Sequence, residues 1–157
     1  MILSDIGSLH MIYQLTLAAV LGMLIGLERE HRNKPAGLRT YTLVALGATL
    51  FTTLSVNAAD SLGVFAFDPS RIASQVVVGI GFIGGGLIFL RGDRMEGLTT
   101  AAGLWATAAI GMAVGFGFYL LAVYTTLLVL LVLSALKYLE DKIHAHDHPA
   151  EHSSGGQ

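Results

Sequence analysis

LTTAAGLWATAAIGMAVGFGFYLLAVYTTLLVLLVLSAL, residues 98–136, contains no charged side chain. A helix rising ~1.5 Å per residue needs ~20 residues to cross a ~30 Å hydrocarbon core, so this stretch is nearly long enough to cross twice. Gly115-Phe116-Gly117 is the place where it can turn back, because glycine accepts the backbone conformations of a tight reversal. The stretch therefore reads as two adjoining membrane spans, Leu98–Gly115 and Phe118–Lys137.

Upstream, Leu9–Leu27, Thr40–Ala59 and Ile72–Leu90 are three more apolar runs of spanning length, separated by loops that hold the charge. The expectation is an all-α integral membrane protein with five transmembrane helices over residues 1–137. Residues 138–157 form a His-rich cytoplasmic tail expected to be disordered. Met1–Ser8 has no Lys or Arg, so it lacks the basic start of a cleaved signal peptide, and Leu9–Leu27 reads as a retained span.

Composition agrees: 54% of residues are hydrophobic and 13% charged. The 19 glycines exceed the ordinary share of about 7%, as expected where helices pack through small residues. With no cysteine, disulfides, thiolate catalysis and Cys-based zinc sites are excluded. A net charge of −2 gives no footing for nucleic acid.

Lys and Arg are distributed unevenly. Arg29, Arg32, Lys34 and Arg39 lie between spans one and two, Arg91 and Arg94 between three and four, and Lys137 and Lys142 after span five; only Arg71 falls on the other side. The positive-inside rule then sets the N-terminus outside and the C-terminus in the cytoplasm. A 60-residue offset superposes Gly26-Leu27 on Gly86-Leu87 and Gly37-Leu38-Arg39-Thr40 on Gly97-Leu98-Thr99-Thr100. Spans one and two thus read as a parallel repeat of spans three and four. Chance agreement between two Gly/Leu/Ala-rich hairpins is the competing reading.

Four segments carry the polar groups. In the first, Gly22 and Gly26 sit one turn apart for close helix approach, and Glu28 follows the apolar run. Glu28 then either pairs with Arg39, or another basic residue, in a network at the cytoplasmic mouth, or belongs to an interfacial charge cluster that sets topology. In the second, Asp68 and Pro69 have the features of a helix start, and Arg71 opposes the helix dipole, so Asp68 is its expected partner. Gln75, one turn further in, reads as an interhelical hydrogen-bonding residue or a ligand-binding one.

The third segment holds Gly79, Gly81, Gly84, Gly85 and Gly86. It matches G-x-G-x-x-G formally, but a dinucleotide site needs a strand, turn and helix in a soluble unit, and these glycines lie in an apolar span. Each glycine weakens a helix by about 1 kcal/mol relative to alanine, so they either admit a neighbour onto bare backbone or mark a broken helix beside a polar cavity. In the fourth, Thr99 and Thr100 can cap a helix or bond a facing one alongside Thr40 of the repeat. Trp105, two turns in, is expected to find a polar partner for its N–H. His144, His146, His148 and His152 of the tail could hold a transition metal weakly, against a solvated tail as the simpler reading; no metal site or cofactor is assigned.

GLERE at 26–30, AGLRT at 36–40, RIASQVVVGIGFIGGG at 71–86 and GLTTAAGLW at 97–105 resemble, in this order, the motifs of the MgtC/SapB family of bacterial inner-membrane proteins. The resemblance implies a polytopic membrane domain linked to growth under magnesium limitation and, in some pathogens, to virulence. It also implies an association with restraint of the ATP synthase, without implying that the protein carries magnesium. Many members of the family add a soluble cytoplasmic domain, where this chain has a short tail. The expected function is a non-enzymatic regulator acting through membrane protein partners in magnesium or acid stress; the alternative is an oligomeric transporter or channel for Mg²⁺ or another small ion. Small residues along spans one, three and four suggest a homodimer or larger homo-oligomer in the lipid bilayer.

Overall fold

The computed structural model describes residues 2–62, 68 and 70–136; Pro69 and the four tail histidines lie outside the described residues. Five α-helices follow in order: α1 (Ile2–His31), α2 (Leu38–Leu62), α3 (Ser70–Gly86), α4 (Leu98–Gly115) and α5 (Tyr119–Leu131). A π-helical turn, Val132–Leu136, extends α5. Helix α4 and the Gly7–His31 part of α1 are each long and apolar enough to cross a membrane.

The turn at 115–117 forms as the sequence predicts. Gly117 adopts φ +83°, its N–H donates to the Val114 carbonyl at 3.0 Å, and Phe118 N–H donates to the Ala113 carbonyl at 2.8 Å. This is a Schellman motif, with glycine in the left-handed position that would strain a residue bearing a Cβ. The end of α1 has the same form with Asn33 at φ 52°: Asn33 N–H meets the Glu30 carbonyl and Lys34 N–H the Arg29 carbonyl, both at 3.0 Å. Asparagine is the next most tolerant residue there.

The third apolar run does not stay helical to Leu90. Helix α3 ends at Gly86, and Phe89–Arg91 (β1) pairs antiparallel with Arg94–Glu96 (β2), so the helical architecture holds but the third helix stops short of Leu90 and a small hairpin follows it. Three successive glycines remove the helical preference, and Gly92 at φ +62° opens a two-residue turn. Gly97, at φ +91°, closes the hairpin so tightly that a Cβ there would lie 1.9 Å from the Leu87 carbonyl oxygen. Helices α2 and α4 begin at Leu38 and Leu98, the predicted 60 residues apart, but a short coil precedes one and a β-hairpin the other.

Helices α2 and α4 form the centre; α1 packs on α2, α3 on α4, and α5 against α4 and α1. The core mixes alanines such as Ala18, Ala45, Ala48 and Ala108 with larger residues such as Ile25, Tyr41, Leu104 and Ile110. Large apolar residues point outward, with Phe82 86% and Leu120 85% exposed. That inversion of the soluble pattern is what a hydrocarbon surround permits.

Candidate functional site

Helix α1 meets α2 through glycine. A Cβ on Gly22 would lie 2.8 Å from the Tyr41 carbonyl, and one on Gly26 2.7 Å from the Leu38 Cα. The same face, continued by one turn, presents Arg29, which is 2% exposed and among the largest fully buried side chains. Its Nε donates to Glu28 Oε2 at 2.5 Å, while the Arg32 Nε lies 2.6 Å from Glu28 Oε1. Glu28 is thus held by Arg29 of its own helix and by Arg32 just beyond that helix's end. Arg39 is exposed on α2 and forms no ion pair among the described residues, so the expected Glu28–Arg39 contact is absent. Arg29 and Arg32 follow Glu28 by one and four residues and both reach its carboxylate, whereas Arg39 lines the groove between α2 and α3.

The residue next in chain, Glu30, does cross the loop. Its Oε2 accepts the Leu38 N–H at 2.9 Å, placing a carboxylate at the positive end of α2. One turn on, the buried Tyr41 hydroxyl donates to the Thr100 carbonyl at 3.2 Å, joining the starts of α2 and α4. Thr100 is buried, Thr99 exposed and Thr40 half-buried.

Deeper in the bundle, the polar groups are bonded to one another. Gln14 Nε2 donates to the Val114 and Gly115 carbonyls at 3.0 and 3.2 Å, and Thr53 donates to Gln14 Oε1 at 3.4 Å. Thr49 donates to the Gly111 carbonyl at 2.8 Å. Among the described residues, Glu28 Oε1 is the buried side-chain atom without an aligned hydrogen bond, and it sits against Arg32. Sequence reasoning passed over Gln14 and Arg29. Both carried a signal: Gln14 is a lone amide inside an apolar run, and Arg29 falls seven residues after Gly22, on its packing face.

Other expected contacts are not made. Asp68 starts α3, accepting Ser70 N–H at 2.9 Å on its carboxylate and Arg71 N–H at 3.2 Å on its carbonyl. The Ser70 hydrogen bonds, with a smaller contribution from the Arg71 charge, hold its carboxyl below the usual aspartate range. The Arg71 side chain is exposed and makes no ion pair with it among the described residues. Trp105 is 54% exposed and turned outward, so its N–H has no partner among the described residues. A Cβ on Gly84 would meet the Ala101 Cβ at 3.5 Å, an ordinary contact, but Gly79, Gly81, Gly85 and Gly86 face open space. The close packing expected of all five glycines on α3 therefore belongs to one. Its counterpart is found on α4, where Cβ atoms on Gly103, Gly111 and Gly115 would lie 2.5–2.6 Å from α2.

Gly79 borders a groove between α2 and α3, floored by Ala108 of α4 and about 670 Å³ in volume, while Gly81, Gly85 and Gly86 line a neighbouring space. Arg39, Thr40 and Gln75 are the groove's polar lining, among Leu43, Phe51, Ile80 and other apolar side chains. This second space of about 550 Å³, between the α1–α2 loop and the end of α3, shares Thr40 and Ile83 with the groove. Three of the expected polar residues therefore meet, in a groove rather than in a buried network. Gln75 has no hydrogen bond to another helix among the described residues, so its expected interhelical bond is not formed.

A profile of the MgtC family matches residues 15–142. The chain belongs to the MgtC family. It is 50% identical over 131 residues to the protein named putative magnesium transporter YhiD of Escherichia coli K12, covering 82% of this chain and 61% of that one. Protein SapB of Bacillus subtilis is 40% identical over 134 residues, 83% of this chain and 58% of SapB. Protein MgtC of Brucella abortus strain 2308 is 45% identical over 123 residues, 78% of this chain and 49% of the other. The chain thus spans about half to three-fifths of these relatives' lengths. No solved structure matches it. MgtC family membership, with the outward apolar surface, makes this a membrane protein.

Proposed function

We propose that this chain is a five-span protein of the bacterial inner membrane, N-out and C-in, that acts as a non-enzymatic regulator in low-magnesium or acid stress. It does so through contacts with other membrane proteins; the ATP synthase is the partner the family resemblance implies. The observation that carries this reading is the state of the interior. Gln14, Thr49, Thr53 and Tyr41 bond to each other or to carbonyls of α4, and glycines bring α2 and α4 into backbone contact. An ion pathway needs polar groups free to replace a hydration shell, and these are already bonded.

The alternative is an oligomeric transporter of Mg²⁺ or another small ion, favoured by the name of the Escherichia coli relative. Its pathway would lie between copies. The charged group in the α2–α3 groove is the cation Arg39, which repels rather than attracts Mg²⁺. Purified protein in proteoliposomes separates the two readings by Mg²⁺ and monovalent cation flux. Flux at the level of protein-free vesicles is expected; saturable Mg²⁺ flux would establish the transporter instead.

A further inference from the structure

The α2–α3 groove runs from Arg39 to Phe51, twelve residues of helix, or about 18 Å. That is a little more than half of a ~30 Å hydrocarbon core, the depth of a single leaflet. The groove is an open trough of about 670 Å³ on the surface of the bundle, apolar along its length apart from Arg39, Thr40 and Gln75. An extended hydrocarbon chain fits along such a trough, against Leu43, Phe51, Ile80 and the bare backbone of Gly47 and Gly79, and a cation at one end of an apolar lining matches an anionic amphiphile.

The headgroup end is also specified. Arg39 is exposed, has no ion pair among the described residues, and sits in the first turn of α2, where a cation opposes the helix dipole and an anion would relieve it. The Thr40 hydroxyl lies beside it, where the groove meets the second space of about 550 Å³. We propose that the α2–α3 groove is a binding site for an anionic phospholipid of the cytoplasmic leaflet, its phosphate at Arg39 and Thr40 and one acyl chain between α2 and α3. The site rests on the bundle lying in a bilayer with this end inward; it does not rest on the regulatory role.

The test uses the full chain purified in mild detergent and exchanged with phosphatidylglycerol or phosphatidylcholine of matched acyl chains, with retained lipid counted by native mass spectrometry. Wild type is expected to retain phosphatidylglycerol about fivefold better, the effect of one basic residue at an anionic interface. Arg39→Gln should remove that preference. Gly47→Leu and Gly79→Leu, at positions where an added Cβ meets nothing within 4 Å, should fill the groove and lower retention of both lipids in a folded protein. Equal retention of the two lipids by wild type, or unchanged lipid in both leucine variants, overturns the proposal. So does a leucine variant that alters protomer stoichiometry in place of lipid content, since it assigns the groove to a second copy. Mg²⁺ flux would defeat the regulatory reading while leaving these lipid counts unaffected.

Discussion

The carboxylate of Glu30, in the last turn of α1, accepts the N–H of Leu38, the first residue of α2, so one helix caps the next across their connecting loop. A cap of this kind contributes about 1 kcal/mol. Glu30→Ala is expected to lower the unfolding temperature in detergent by about 2–4 °C, with Glu30→Gln, which keeps an acceptor, losing less. Gly37→Ala should resemble Glu30→Ala, because its Cβ would lie 2.8 Å from the Glu30 Oε2 and displace it. Equal melting of all three variants and wild type would show that the cap contributes nothing.

At the α2–α4 contact a Cβ on Gly103 would lie 2.6 Å from the Tyr41 hydroxyl, as close as one on Gly115 would lie to the Thr52 side chain. Gly103→Ala is expected to cost about 1–3 kcal/mol by overpacking. Tyr41→Phe removes the clashing oxygen and leaves the ring carbon at 3.4 Å, so the double variant should lose less than the two singles together. By contrast, Gly81→Ala and Gly85→Ala enter open space in a helix and should gain up to about 1 kcal/mol. Thermal unfolding of the set checks both halves; full additivity would remove the proposed coupling.

Glu28→Ala leaves the Arg29 guanidinium buried without a carboxylate, a loss of about 3–5 kcal/mol. Arg32 is partly exposed, and its removal leaves Glu28 held by Arg29, so Arg32→Ala should cost about 0–1 kcal/mol. Lys34→Ala and Arg39→Ala should leave membrane abundance near wild type. A uniform loss across the four variants would mean that these charges serve only to orient the chain.

Much of this arrangement was readable beforehand, and the rest was not, for physical reasons. Gly115–Gly117 turns because an uncharged run of that length has nowhere else to reverse, and Gly22 and Gly26 pack because they share a face next to a tight loop. The hairpin was hidden: Phe89 and Leu90 continue an apolar run, and apolarity alone does not separate a helix from a strand. Arg29 was read as a topology signal because a basic residue after an apolar run usually is one; its burial depends on how closely α2 approaches. The groove depends on the gap left between α2 and α3, a tertiary quantity that no local pattern in α3 encodes.

Asp68 makes the start of α3 sensitive to acid. Its carboxyl is held below the ordinary value of 3.8, mainly by the Ser70 hydrogen bonds, so the folded form binds its proton less readily than the unfolded form. The stabilisation is complete above pH 3.8 and is lost as the pH falls through the lower, folded value. Hydrogen exchange at the Ser70 amide should quicken, relative to its intrinsic rate, below that pH in wild type and change little in Asp68→Ala. Identical profiles would remove the titration argument.

The skew of Lys and Arg toward one set of loops predicts a cytoplasmic C-terminus. A C-terminal fusion is expected to be active with a cytoplasmic reporter and silent with a periplasmic one. The reverse outcome would invert the bundle and move Arg39 to the other leaflet.

With Gly103, Gly111 and Gly115 of α4 seated directly on Tyr41, Ala45 and Thr52 of α2, that pair behaves mechanically as a fixed spine. Helix α3 leans on it along a narrow seam of Ala73, Ile80 and Gly84, its buried residues. A plank held along one edge swings more easily than the post it hangs from. Only Leu87 and Ile88 separate α3 from the Phe89–Glu96 hairpin, so any swing of the plank is delivered to that hairpin as displacement, with little slack in between.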